Sequence, residues 1–98
     1  MKSTLEQTIA GYFRDKPIRR AYLFGSHARR EARADSDVDI LVDVEPDYFM
    51  SLVEFGHMLE DLKELLHRDV DLVPSDGLSV HLRPFIEREK VLIYEKAA

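Results

Sequence analysis

Residues 23–30 read LFGSHARR and residues 35–42 read DSDVDILV, and these two segments determine the predicted fold. In the first segment an apolar run ends at Gly25 and Ser26, where a strand can give way to a helix. In the second, Asp37 and Asp39 alternate with apolar residues, which is typical of a strand with one buried face. The two carboxylates therefore lie on one face of this strand, with Cα atoms about 6.7 Å apart.

The same residues predict a binding site. Two carboxylates held side by side repel each other, so they destabilise a fold unless a cation lies between them. Carboxylate oxygens are hard ligands that suit Mg²⁺ or Mn²⁺. Upstream, Gly25 lets a ligand approach the backbone closely, and the N–H groups and hydroxyl at Ser26 can face a phosphate. Together the segments indicate a site for a metal-bound nucleoside triphosphate.

The two segments resemble the signature of the nucleotidyltransferase superfamily typified by DNA polymerase beta. In that signature Gly-Ser precedes Asp-x-Asp by about ten residues, and a third carboxylate follows in a later strand. The stretch from Phe24 to Val42 is especially similar to the minimal nucleotidyltransferases, which resemble the catalytic core alone. The resemblance covers nearly the whole chain. It implies a Mg²⁺-dependent transfer of AMP from ATP to a hydroxyl.

Six residues match the family pattern and take their roles from the resemblance, and Arg30, which departs from the pattern, joins the nucleotide-binding set as a candidate contact. Three carboxylates are the implied catalytic residues and metal ligands: Asp37, Asp39 and Asp71. The first two would bridge a pair of Mg²⁺ ions, with Mn²⁺ as an alternative metal, and the third would bind the ion that activates the attacking hydroxyl. Four residues are the implied nucleotide-binding set: Gly25, Ser26, Arg29 and Arg30.

Some assignments have rivals within the sequence. Asp69 has the same facing parity as Asp71, but it stands at the entrance of its strand, where a solvated carboxylate is ordinary. Asp71 lies between apolar neighbours, where an unpaired charge is expensive. Asp43 is about 20 Å from Asp37 along an extended strand and cannot share its metal. Without the full motif, the acidic alternation would indicate only a solvated strand.

Position 30 departs from the pattern, because the minimal family usually has glycine there and this chain has Arg30. A larger residue either alters the loop or adds a contact to the triphosphate. Arg29, Arg30 and Arg33 are equally well explained as the exposed side of a short helix. His27 is also atypical of the family, and we assign it no catalytic role.

Composition limits the possible functions. The chain has 98 residues, a net charge of −5 and no cysteine. This length fits one domain, residues 1–98, so a macromolecular substrate must come from another chain. The acidic balance argues against nucleic-acid binding, and the lack of cysteine excludes disulfides. No signal peptide and no apolar run near the ~20 residues of a membrane helix are present, so we expect a cytoplasmic protein without a membrane span.

The periodicity predicts an α/β fold, with helices packed on a small mixed sheet of about four strands. Helices are predicted at 4–15, 26–33 and 49–67, and partly at 78–89, where Pro84 interrupts the helix or begins its second half. Strands are predicted at 18–24, 37–44, 70–73 and 91–94, with a frayed end at 95–98. Ser3 and Ser26 are the predicted N-caps of the first two helices. Five residues form the predicted apolar stripe of the long helix: Leu52, Phe55, Leu59, Leu62 and Leu66.

The resemblance also implies a partner. Stand-alone members of the minimal family often act as antitoxins for a HEPN-domain toxin, a ribonuclease whose tyrosine they modify with AMP. One alternative is a non-catalytic module that neutralises its partner by docking, and a weaker one is transfer to a small molecule. Four apolar side chains exceed what we expect one core to bury and suggest a homo-oligomer: Phe49, Met50, Met58 and Phe85.

Overall fold

The computed structural model describes residues 4–33 and 36–97, in which helices and strands alternate along the chain. The helices are α1 (Thr4–Phe13), α2 (Gly25–Ala28), α3 (Leu52–Leu66) and α4 (Arg83–Glu89). The strands are β1 (Ile18–Phe24), β2 (Val38–Val44), β3 (Val70–Pro74) and β4 (Val91–Glu95), and a 3₁₀ turn follows β3 at Ser75–Gly77. The predicted α/β class with four strands is confirmed.

The four strands form one mixed sheet in the order β3-β2-β1-β4. Strand β1 runs antiparallel to both β2 and β4, whereas β2 and β3 are parallel. Because of these directions, β1 ends at the same edge of the sheet where the other three strands begin. Phe24 pairs with Asp39 and Leu23 pairs with Val91 at this edge, which we call the site edge.

The hydrophobic core lies on one face of the sheet, beneath α1 and α3. Side chains of β2 point into it at Val38, Ile40 and Val42, which are all fully buried. Helix α1 contributes Ile9 and Phe13 from its inner side, and α3 contributes Met58 and Leu62. Burying a side chain of this kind contributes about 1.5–3 kcal/mol, so this face fixes the sheet against the helices. The opposite face carries Asp39 and Asp43 of β2 together with the fully buried Leu41.

The beginning of α3 differs from the prediction. The helix starts at Leu52 rather than at residue 49, because the Ser51 hydroxyl accepts a hydrogen bond from the Glu54 N–H at 3.1 Å. The Glu54 carboxylate in turn accepts from the Ser51 N–H, which completes a capping box. Leu52 is 91% exposed, so its place in the predicted stripe is wrong, and Met58, 4% exposed, takes its place in the core.

Two smaller predictions about helix ends can also be compared with the structure. Helix α2 begins at Gly25 without a side-chain cap, so the prediction that Ser26 is its N-cap is wrong. Ser3, the predicted cap of α1, lies outside the described residues. Pro84 lies in the first turn of α4, where its missing N–H is not needed, so it begins the second half of the 78–89 segment.

The C-terminal end is held more firmly than predicted. Glu95 belongs to β4 and pairs with Arg20, with 2.8 Å between nitrogen and oxygen. The next residue, Lys96, pairs with Glu45 at 2.8 Å, and its N–H donates to the Arg19 carbonyl. The expected fraying of this end is therefore wrong at residues 95 and 96, because Glu95 pairs with Arg20 of β1 and Lys96 pairs with Glu45, the residue that follows β2.

The apolar side chains singled out in the sequence divide into two groups. Phe49 is 86% exposed and Phe85 is also exposed, whereas Met58 is buried and Met50 packs against the core. The prediction that one core cannot bury these four side chains is thus wrong for the two methionines. None of the described helices is long and apolar enough to cross a membrane.

Candidate active site

Two of the predicted carboxylates face each other at the site edge. Asp39 of β2 is the register partner of Asp71 of β3, so their side chains leave the same face of neighbouring strands about 4.8 Å apart. The residues before them, Val38 and Val70, pair in the same way and point into the core. Asp37 lies immediately before β2 and is exposed. Alternation sets the face that each side chain takes, and the parallel register between β2 and β3 brings Asp39 and Asp71 together, opposite the core.

The electrostatic setting of Asp39 links the three carboxylates. Its pKa is raised above the ordinary value, first by burial and then by the negative charges of Asp71 and Asp37. The charge of Arg29 opposes this effect and lowers the pKa. Asp37 and Asp71 are thus close enough for their charges to act on Asp39, and a cation bound here would relieve the repulsion.

A preformed metal cage is absent from residues 4–33 and 36–97, which contain no group of three ligating side chains at metal-binding spacing. The donor set still suits magnesium. Mg²⁺ keeps several waters and is usually held by one or two carboxylates together with the phosphates of a substrate. The facing pair of Asp39 and Asp71 supplies the two carboxylates, and the remaining ligands would be those that arrive with the nucleotide.

Gly25 is in close contact with Asp39. Its φ angle is +71°, in the left-handed region, and a Cβ atom built on it would lie 2.2 Å from the Oδ2 atom of Asp39. The contact follows from the sheet register, because Phe24 pairs with Asp39 and places the next residue beside its carboxylate. A side chain at position 25 would be disfavoured by the left-handed backbone, and it would push the Asp39 carboxylate away. Both constraints require glycine.

A fourth carboxylate at the site edge was not predicted. Glu89, the last residue of α4, accepts a hydrogen bond from the Gly25 N–H at 2.9 Å and one from Arg29 Nη1 at 3.1 Å. The available signal in the sequence is an acidic residue at a helix C-terminus, where the helix dipole disfavours negative charge. Such a residue needs partners elsewhere, and here they are two of the predicted nucleotide-binding residues.

The comparisons with known proteins identify the family of this chain. The sequence model of the family described as "Polymerase beta, Nucleotidyltransferase" matches residues 7–98. The chain belongs to this nucleotidyltransferase family. A curated relative, the protein adenylyltransferase MntA of Thermococcus cleftensis, is 42% identical over 76 residues, which cover 78% of this chain and 75% of the relative.

Two solved structures share the fold. A chain of a toxin–antitoxin crystal structure with AMP-PNP has a TM-score of 0.79 and 25% identity, over 93% of this chain and 73% of that one. A chain of the complex between the tri-AMPylated Shewanella oneidensis HEPN toxin and its MNT antitoxin has a TM-score of 0.75 over 98% of this chain and 74% of that one. At 23% identity this second likeness shows the fold alone.

Arg30, where this nucleotidyltransferase departs from the minimal pattern, has an exposed side chain and a left-handed backbone with φ of +59°. A backbone of this kind favours glycine, which is the usual family residue there. The loop therefore keeps a glycine-like conformation in spite of the substitution.

His27, the other atypical residue of the nucleotidyltransferase motif, has its Nε2 atom buried without a hydrogen-bond partner among the described residues. Burial lowers the pKa of this imidazole. Ser26 lies in α2, which packs against β2 beside the carboxylates.

Of the two rival carboxylates of this nucleotidyltransferase, Asp43 lies away from the site edge and Asp69 lies at it, but Asp71 is the register partner of Asp39. Asp69 is exposed just before β3, and its backbone carbonyl accepts a hydrogen bond from the Val38 N–H at 3.0 Å. Asp43 is near the far end of β2, where its carboxylate accepts a hydrogen bond from the Tyr22 hydroxyl at 3.4 Å and lies 4.0 Å from the Arg20 guanidinium. Asp71 thus faces Asp39, while Asp69 links β2 to the start of β3 through its backbone carbonyl.

Proposed function

We propose that this nucleotidyltransferase moves AMP from ATP to a tyrosine hydroxyl of a partner HEPN toxin and thereby neutralises it. The observation that carries the proposal is the facing pair of Asp39 and Asp71 beside the glycine bend at Gly25. A binding module that acts by docking alone has no need to hold two like charges at one edge, since their repulsion disfavours the fold.

In the proposed reaction the acceptor oxygen forms a bond to the α-phosphorus, and the bond from that phosphorus to the bridging β-phosphate oxygen breaks. Pyrophosphate leaves, and the hydroxyl proton passes to the Asp71 carboxylate. The Gly25 and Ser26 backbone and the Arg29 guanidinium orient the phosphates, while Arg30 is a further candidate contact. Positioning of this kind supplies much of the acceleration in such transfers.

Magnesium is the proposed cofactor, held by Asp37, Asp39 and Asp71. When bound, it would neutralise charge on the phosphates and lower the barrier for attack by the hydroxyl. The fit rests on the oxygen-only donor set and on the raised pKa of Asp39, which reflects burial first and then the charges of Asp71 and Asp37.

The names of the relatives support the proposed acceptor. The curated relative is a protein adenylyltransferase, and a structural neighbour is an antitoxin in complex with an AMPylated HEPN toxin. The described part of this chain provides only the catalytic fold, so the acceptor is expected on a second protein. ATP is the proposed donor because a neighbouring structure contains AMP-PNP.

The proposal is tested by incubating the protein with Mg²⁺, ATP labelled at the α-phosphate and the HEPN protein encoded beside it. We expect label on a toxin tyrosine and loss of ribonuclease activity. Asp71→Asn should lower the transfer rate by about 10²–10⁴-fold, the usual contribution of a general base. Asp69→Asn is the matched control, because it changes a nearby carboxylate while leaving the backbone bond to Val38 intact.

The docking alternative gives a different result in the same assay. If Asp39→Asn transfers no label but still neutralises the toxin, the protein acts by binding and the catalytic proposal is wrong. If neutralisation and transfer are lost together, docking alone is insufficient. Labelling of a small-molecule hydroxyl in place of the toxin would contradict the proposed acceptor.

A further inference from the structure

Glu89 occupies a place at the site edge that mirrors the place of Asp39. It ends α4 and stands two residues before β4, whose first residue pairs with Leu23 of β1. Asp39 contacts Gly25 from the β2 side, and Glu89 reaches the same glycine from the β4 side. The glycine bend is therefore held between two carboxylates that come from opposite neighbours of β1.

Both oxygens of Glu89 are engaged. Oε1 accepts from the Gly25 N–H at 2.9 Å, and Oε2 accepts from Arg29 Nη1 at 3.1 Å. The hydrogen bond from Gly25 and the charge of Arg29 hold the pKa of Glu89 below its ordinary value. Hydrogen bonds to an ionised carboxylate are roughly twice as strong as neutral ones, so this carboxylate fixes both a backbone orientation and a side-chain direction.

The two groups that Glu89 fixes are both in the proposed nucleotide-binding set. Gly25 must keep its left-handed backbone for Asp39 to lie against it. Arg29 must stay near Asp39, because its positive charge offsets part of the repulsion at that carboxylate. Glu89 therefore holds the bend through the Gly25 N–H and shares the Arg29 guanidinium with Glu31, whose carboxylate lies 3.3 Å from Arg29 Nε.

We propose that Glu89 is a positioning residue for nucleotide binding, which holds the Gly25 bend and the Arg29 guanidinium in the arrangement that receives the triphosphate. The proposal rests on the proposed function, because it presupposes that Mg²⁺-ATP binds at the site edge. Glu89 itself touches neither nucleotide nor acceptor. Its effect should appear in the affinity for ATP and much less in the rate of the bound complex.

The test compares Glu89→Gln and Glu89→Ala with the unchanged protein. Glutamine keeps an acceptor for the Gly25 N–H but cannot pair with Arg29, and alanine loses both contacts. We expect Glu89→Gln to weaken Mg²⁺-ATP binding about 10-fold, and Glu89→Ala to weaken it further. In the transfer assay the KM for ATP should rise by the same factor, with kcat changed less than about 3-fold.

Glu87→Gln is the matched control, because Glu87 lies on the same helix and pairs with Lys90 at 2.8 Å. It should leave ATP affinity unchanged. Exchange of the Gly25 amide hydrogen reports the contact directly and should accelerate in Glu89→Ala but not in Glu87→Gln. Arg29→Gln completes a double-mutant cycle with Glu89→Gln, in which the two effects should be less than additive.

Calorimetric titration with Mg²⁺-ATP, in the absence of acceptor protein, separates failure of this inference from failure of the proposed function. If the unchanged protein does not bind Mg²⁺-ATP, the proposed function is wrong and this inference falls with it. If it binds and Glu89→Gln binds equally well, only the positioning role is overturned. Tighter binding by Glu89→Gln would also overturn it, since Glu89 would then compete with the phosphates for the same donors.

Discussion

The carboxylate of Asp39 lies where burial and the negative charges of Asp71, Asp37 and Glu89 all disfavour its ionised form. At neutral pH the folded protein carries this charge in a poorer environment than the unfolded chain does. The charged site thus destabilises the fold, as is common where ionisable groups are held together for function. A change at this one residue should therefore alter stability in a direction that ordinary core mutations do not.

We expect Asp39→Asn to raise the thermal midpoint at pH 7 by a few degrees. A raised pKa means that the folded state keeps its proton above the ordinary value of 3.8, so the stability of the unchanged protein falls as pH rises through that window. The advantage of the variant should be greatest at neutral pH and vanish below pH 3.8. Calorimetry across pH measures it, with the exposed Asp47→Asn as control. A lower midpoint for Asp39→Asn at pH 7 would contradict this account.

Arg30 offers a second test on a single residue. Its backbone has a φ of +59°, and a left-handed conformation is unfavourable by about 1–2 kcal/mol for a residue with a Cβ atom. Arg30→Gly relieves that strain but gives the unfolded chain more freedom, so we expect a net gain of about 0.5 kcal/mol in the free energy of unfolding. Urea unfolding measures it. Arg33→Gly, which relieves no left-handed strain, should give a loss, and a similar loss at position 30 would show that the strain is not released.

Strand alternation, with its period of two, predicted that Asp37 and Asp39 share a face, whereas the position of Asp71 beside Asp39 depends on the register between β2 and β3. The contact between Gly25 and the Asp39 carboxylate could not be predicted from the sequence, since it depends on the register between β1 and β2. Glu89 was missed for a similar reason. Its partner, Gly25, is 64 residues away, and no local pattern links the two.

At the scale of elements, helix boundaries depend on local hydrogen bonds more than on apolar periodicity. The apolar residues at 49–53 suggested an early start for α3, but the capping box of Ser51 and Glu54 sets its first turn. Hydrophobic pattern alone cannot show which of several candidate residues supplies the missing acceptor for the free N–H groups. Strand β1, bounded by Pro17 and Gly25, was predicted with the correct ends because both neighbours stop a strand by their backbone chemistry.

Replacing the cap should weaken α3 measurably. Ser51→Ala removes the acceptor for the Glu54 N–H, so we expect a loss of about 1 kcal/mol in the free energy of unfolding. Ser51→Thr keeps a hydroxyl and should differ from the unchanged protein by only a few tenths of that amount. Chemical unfolding followed by circular dichroism tests the pair. Equal stability of the alanine and threonine variants would mean that the cap contributes nothing to the helix.

In the whole molecule, the strand directions bring one end of every strand to the same edge of the sheet. Gly25 follows β1, Asp39 and Asp71 lie near the starts of β2 and β3, and Glu89 precedes β4. The core on the opposite face holds these four segments together, so the site and the core share the same strands. A ligand that binds at this edge should therefore stabilise the entire chain, and not just one loop, against unfolding.

Mg²⁺-ATP should accordingly raise the midpoint of global unfolding. At ten times the dissociation constant, linkage gives about 1.4 kcal/mol, which for a domain of this size is a shift of roughly 6–11 °C. Mg²⁺ alone should give a smaller shift, because the facing carboxylates fill only part of its coordination sphere. Scanning calorimetry measures both. Asp39→Asn should lose most of the shift, whereas Asp43→Asn, at the far end of β2, should keep it. Equal shifts in the two variants would place nucleotide binding away from the site edge.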